Sequence, residues 1–79
     1  MFNIGKCNIC KQGLLEIVKD ENTGKIYICC DECEAEWDCP KDALSTKNGT
    51  RNKYGKIVSP TKEEILEQRW EVEIFEHHN

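Results

Sequence analysis

Cys7-Asn8-Ile9-Cys10 and Cys30-Asp31-Glu32-Cys33 decide how this chain is read. The couplets are 19 residues apart, within the C-x2-C…C-x2-C spacing that marks a zinc site. Four thiolates converging at about 2.3 Å on one ion form a closed tetrahedral shell with no position left for water or substrate. The pattern therefore predicts one structural zinc ion per chain, held by Cys7, Cys10, Cys30 and Cys33, and argues against metal catalysis.

Between the couplets lies a β-hairpin signature. Leu14–Lys19 and Lys25–Cys30 are apolar and β-branched, and Asp20-Glu21-Asn22-Thr23-Gly24 separates them with a glycine suited to positive φ. A side-chain period of two puts Ile26, Ile28 and Cys30 on one face and Tyr27 and Cys29 on the other. Residues 34–38 alternate, with Ala35 and Trp37 on one side, and predict a short third strand. Pro40 suits the first position of a short helical turn, with Asp42 in the dipole-favoured first turn. Residues 45–56 read as a polar loop. Thr61-Lys62-Glu63-Glu64 is a capping box. Leu66, Trp70 and Ile74 then recur four apart, which predicts an amphipathic helix over about 62–76, although Val72 and Ile74 alternate as a strand would. The expected fold class is small α+β, a zinc ribbon with a C-terminal helix. It divides into a ribbon module (1–44), a basic loop (45–60) and a helix packed on the ribbon (61–79).

At 79 residues, 38% hydrophobic and 33% charged, the chain has a lean apolar supply, and domains of this size commonly need a metal, a disulfide or a partner. A structural zinc contributes roughly 10–16 kcal/mol to folding. Six cysteines form a disulfide framework only in a secretory setting. The first residues show no basic region followed by an apolar one, and no apolar run approaches the ~18 residues of a membrane span. A reducing cytoplasm is the expected compartment. Asn48-Gly49-Thr50 matches a glycosylation sequon and reads as a turn.

Six cysteines for four positions leave two spare. Cys29 offers a C-x3-C pairing with Cys33, whereas Cys30 gives the C-x2-C spacing that fits a tight knuckle turn. Cys39 stands where a helix cap belongs, and His77 and His78 read as bystanders at the tail.

The net charge of −4 is laid out in blocks: +1 over 1–30, −5 over 31–42, +5 over 43–62 and −5 over 63–79. Blocks of opposite sign either neutralise one another within the fold or steer an oppositely charged partner. Asp31, Glu32 and Glu34 add acid to an already anionic site, which zinc binding does not require. With Trp37 they form the candidate partner-binding set.

The couplet–hairpin–couplet arrangement over residues 7–37 resembles the zinc-ribbon family. The resemblance implies two knuckles, a small three-stranded sheet and the four ligands already named. Family knuckles often carry glycine after the second cysteine, where this chain has Lys11 and Glu34. Rubredoxins also pair couplets, and iron is the alternative metal they imply, but this chain lacks their glycines and their C-P-x-C-G second couplet. More broadly, Cys29–Asp38, Asp42-Ala43-Leu44, Tyr54-Gly55-Lys56 and Pro60–Ile65 look like small bacterial proteins of polymorphic-toxin loci. Some of those are immunity proteins in contact-dependent growth inhibition. That resemblance implies a stoichiometric protein inhibitor, and the acidic balance suits a basic toxin domain.

Three functions follow in order: a protein-binding zinc ribbon, a nucleic-acid or transcription-associated ribbon, and a thiol redox enzyme. The +5 block with Tyr54 favours the second, while an acidic chain with few aromatics opposes it. A redox C-x-x-C usually has its low-pKa cysteine at a helix N-terminus in a βαβ setting, whereas neither couplet opens an obvious long helix and metal would quench both. The chain is therefore read as a non-enzyme.

Overall fold

A computed structural model describes residues 1–76. In chain order the elements are β1 (Phe2–Lys6), β2 (Leu14–Asp20), β3 (Ile26–Cys30), β4 (Glu36–Trp37), α1 (Pro40–Ser45), β5 (Ile57–Val58), α2 (Lys62–Leu66) and β6 (Phe75–Glu76). All six strands belong to one antiparallel sheet in the order β4-β3-β2-β1-β6, with β5 pairing β2.

The sheet grows from the β2–β3 hairpin, whose register runs from Leu15↔Cys30 to Lys19↔Ile26. The Gly24 amide donates to the Asp20 carbonyl at 2.8 Å, and Gly24 has φ +78, a conformation that costs other residues strain. The Asp20 carboxylate, on a residue only 3% exposed, accepts from the Thr23 amide, the Thr23 hydroxyl and the distant Gly55 amide. It therefore ties the hairpin turn to the chain that packs over the sheet.

Alternation along β2 and β3 separates two cores. Ile4, Leu15, Ile17, Ile26, Ile28, Cys30, Trp37, Ala43 and Ile65 share one cluster, while Val18, Tyr27 and Cys29 form another on the opposite face. The first is closed by α1 and by Ile65 of α2. The second is covered by Tyr54, whose ring stacks on Tyr27 at 4.1 Å between centroids. The expected face assignment of β3 and the short strand at Trp37 are both present.

The C-terminal helix is not. The capping box forms as expected, with Thr61 and Glu64 bonded reciprocally, but α2 ends at Leu66, and Arg69 takes a left-handed φ of 55. The chain then extends into β6, which pairs with β1 at Phe2↔Glu76 and Asn3↔Phe75. The fold is thus a mostly antiparallel sheet with two short helices, not an α+β ribbon carrying a C-terminal helix. The reason lies in two competing periods. Val72 and Ile74 alternate toward the main cluster together with Trp70, whereas Leu66, the first residue of the helical stripe, is 60% exposed. Pairing along β1 also satisfies backbone groups that an open edge would leave bare.

Strand β1 had no expectation behind it. Its register shifts between Asn3 and Lys6, where Gly5 adopts φ +115, a conformation that glycine takes without a Cβ clash. The 45–60 segment is also tied down: Thr50 bridges Glu36 and β5 pairs with the end of β2.

The Thr23 hydroxyl, followed by the Thr23 and Gly55 amides, holds the Asp20 carboxyl below its ordinary value of 3.8. A carboxyl lowered in the folded state stabilises fully above its unfolded pKa, and the contribution disappears as pH falls through the folded value. Asp20→Asn is therefore expected to destabilise the protein at pH 6–7. Urea midpoints of parent and variant should converge as pH drops below about 4. A gap independent of pH would remove the carboxylate from this role.

Candidate metal centre

The two couplets fold into nearly the same turn. In the first, between β1 and β2, the Lys11 amide donates to the Cys7 carbonyl at 3.1 Å and Lys11 has φ 59. In the second, between β3 and β4, the Glu34 amide donates to the Cys30 carbonyl at 3.2 Å and Glu34 has φ 62. The residues standing where glycine was expected thus take the left-handed conformation without it, at a cost of roughly 1–2 kcal/mol each. Backbone amides point at sulfur in both turns. Ile9 donates to the Cys7 Sγ, Gly13 to the Cys10 Sγ, and Glu32 and Cys33 to the Cys30 Sγ, each at 3.4 Å.

Because β1-β2-β3-β4 are neighbours in that order, both turns emerge at one end of the sheet and face each other. The four sulfurs lie within 4.8 Å of one another. Cys10 and Cys30 approach to 3.6 Å and Cys7 and Cys33 to 3.8 Å. A tetrahedron of sulfurs about 2.3 Å from a central ion has edges of about 3.8 Å, so the cluster can hold a metal ion with little adjustment. These separations are far from the ~2.05 Å of a disulfide, and the thiols are free. Cys7 and Cys30 are buried, while Cys10 and Cys33 are half-buried.

The electrostatics are asymmetric across the cluster. Backbone amides of Gln12 and Gly13 pull the Cys10 thiol down to about 6, while burial pushes Cys30 up to about 12. Incoming metal would find one sulfur readily ionised and would have to displace the proton from another, so binding releases protons and weakens in acid.

Gly13 makes the approach of the two turns possible. A Cβ there would lie 2.6 Å from the Asp31 Oδ1, 2.7 Å from the Cys30 Sγ and 2.9 Å from the Glu32 Cβ. Across this contact the Leu14 amide donates to the Asp31 carboxylate at 2.8 Å, and the Asp31 amide to the Leu14 carbonyl at 3.1 Å. Asp31 therefore fastens the second knuckle to the start of β2. Its acidity, unexplained by metal binding, has this structural use. The C-x2-C-x2-G spacing was the available signal for Gly13.

The remaining cysteines stand apart. Cys29 faces the opposite side of the sheet, donates to the Cys30 carbonyl and is pushed up to about 11 by burial. Cys39 precedes α1 and makes no side-chain capping bond. His77 and His78 lie outside the described residues. Of the candidate partner residues, Glu32 and Glu34 are exposed, but Trp37 is only 1% exposed and is corrected from a surface contact to a core residue. Its indole lies under Gly49, where a Cβ would be 3.1 Å from the Trp37 Nε1.

The basic segment folds back on the acidic one. The Arg51 Nε donates to the Cys33 carbonyl at 3.1 Å, Lys53 lies 3.5 Å from Asp38, and Lys56 lies 3.8 Å from Glu21. Glu36, buried beside them, accepts from Thr50 and from the Lys53 amide. Charge neutralisation within the fold thus accounts for part of the block pattern, through Lys53 and Lys56, while Lys47 and Lys62 have no ion pair among the described residues. Among the described residues no helix is long and apolar enough to cross a membrane.

Compared with family models, with curated proteins and with solved structures, the chain matches none.

Replacing Cys7, Cys10, Cys30 or Cys33 by Ser is expected to abolish stoichiometric metal retention in elemental analysis, while Cys29→Ser and Cys39→Ser keep it. Retention in Cys30→Ser together with loss in Cys29→Ser would transfer the ligand role. For Gly13→Ala, forced separation of the knuckles should cost about 1–3 kcal/mol and weaken metal binding, as measured by competition with a chelating dye. Unchanged affinity would show that the close approach is dispensable.

Proposed function

We propose that the four-thiol cluster holds one structural zinc ion. We further propose that the chain is a cytoplasmic zinc-ribbon module that works by binding another protein, most concretely as an immunity protein neutralising a basic bacterial toxin domain. Thiolate donors in a tetrahedral shell suit zinc over harder cations. A shell closed by four protein sulfurs leaves the ion a folding role, which agrees with a non-enzyme. A reducing compartment keeps such thiols available to metal.

The observation that carries the protein-binding reading is the acidic second knuckle, where Glu32 and Glu34 are exposed with no ion-pair partner among the described residues. Arg51, Lys53 and Lys56 of the basic segment are meanwhile engaged on Cys33, Asp38 and Glu21. An acidic patch steers a basic protein and repels phosphates. The nucleic-acid alternative rested on the basic block and its aromatic residue, and here Tyr54 is stacked on Tyr27 and bonded to Asp38 rather than offered to a base.

Two measurements test the reading. Elemental analysis of the purified protein should give one zinc per chain, and chelation should unfold the sheet cooperatively; native circular dichroism after demonstrated metal removal would make the ion incidental. A pull-down with the product of the neighbouring reading frame should recover a basic partner. Replacing Glu32 and Glu34 by Gln, with Asp31 left to hold Leu14, should slow association about tenfold at low salt. Submicromolar binding of RNA or DNA at physiological salt, with no protein recovered, would reverse the ranking.

A further inference from the structure

On the main-core side of the sheet a groove of about 550 Å³ runs between α1 and the segment after α2, lined by Cys39, Pro40, Lys41, Leu44, Ser45, Trp70, Glu71 and Val72. Its floor is apolar. Pro40 is buried, and Trp70 and Val72 are half-buried against the main cluster. Leu44 stands 44% exposed at the groove, and Ile9, 50% exposed, lies nearby on the first knuckle, whose Asn8 side chain donates to the Leu44 carbonyl. Exposed apolar side chains beside an apolar cleft of this volume are what a protein interface supplies as anchor and pocket.

The walls carry opposite charges. Lys41 belongs to the α1 wall and Glu71 to the other, both exposed, and neither has an ion-pair partner among the described residues. A two-fold rotation about an axis along the groove places each wall of one molecule over the opposite wall of the other. Lys41 is then brought to the wall that carries Glu71 of a second copy, and any pair made there is repeated by symmetry, as an isologous interface demands. The same rotation turns each Leu44 toward the opposing Trp70–Val72 wall.

We propose that this groove is a self-association surface, occupied by a second copy of the chain in a two-fold dimer with reciprocal Lys41–Glu71 pairs and Leu44 as its apolar anchor. The proposal is independent of the acidic knuckle and of any toxin partner, so either can fail while the other stands.

Sedimentation equilibrium of the full metal-loaded chain tests it. The parent is expected to dimerise with a dissociation constant on the order of 10–100 μM. Lys41→Glu and Glu71→Lys alone each put like charges together twice per dimer, and each should weaken association about tenfold. The double variant, Lys41→Glu with Glu71→Lys, should recover it. Leu44→Asp, at an already exposed position, should abolish association with the far-ultraviolet circular dichroism unchanged. A parent monomeric to about 1 mM, a dimer indifferent to Leu44→Asp, or a double variant as weak as the singles would each overturn the proposal.

Discussion

Everything in this molecule depends on two tight turns lying back to back at one end of a sheet. Gly13 lets the backbone of the first turn reach the Cys30 sulfur and the Asp31 carboxylate of the second. The reciprocal Leu14–Asp31 bonds then hold the pair together. Four sulfurs gathered so closely repel once ionised, and a bound metal ion would convert that repulsion into a net gain. The amides aimed at Cys7, Cys10 and Cys30 spread part of the negative charge into the backbone. A metal bound there would couple its affinity to folding, as expected for a chain with so small a core.

Away from the cluster, the sheet is covered unequally on its two faces. One carries nearly all the aliphatic residues. The other is closed by a thin layer in which Tyr54 lies on Tyr27, and Asp20, Glu36 and Asp38 receive hydrogen bonds or ion pairs from the overlying 50–56 segment. That layer is held by polar contacts more than by burial. Within the folded interior, Tyr27 Oη and Trp37 Nε1 find no hydrogen-bond partner among the described residues, and an unsatisfied buried group costs about 1–3 kcal/mol.

This economy shapes what the surface can do. Arg51, Lys53 and Lys56 of the basic block hold their own chain to the fold, while Glu32 and Glu34 of the second knuckle face solvent. Apolar surface is also left over in a defined place, beside the first knuckle and α1, where Leu44 and the Trp70–Val72 segment border one groove. A small sheet cannot bury all of its hydrophobic residues against itself. The remainder gathers where the chain leaves α2 and crosses toward β6.

The sequence by itself determined the metal-binding end and the hairpin. Cysteine spacing selects ligands, period-two alternation assigns faces, and the capping box starts a helix, all of them effects acting over a few residues. The choice of Cys30 over Cys29 rests on the C-x2-C spacing, and Cys29 turns to the other face of the sheet. The tertiary structure alone decided the rest. The Leu66-Trp70-Ile74 spacing satisfies a helix and the Val72-Ile74 alternation satisfies a strand, and local preference does not choose between them. The open edge of β1, 70 residues earlier in the chain, does so by pairing with Phe75 and Glu76. Trp37 reads from the sequence as a partner contact, and only the chain closing over its indole at Gly49 makes it a core residue. Contacts of long sequence separation are set by which edges and faces remain unsatisfied once the local elements have formed.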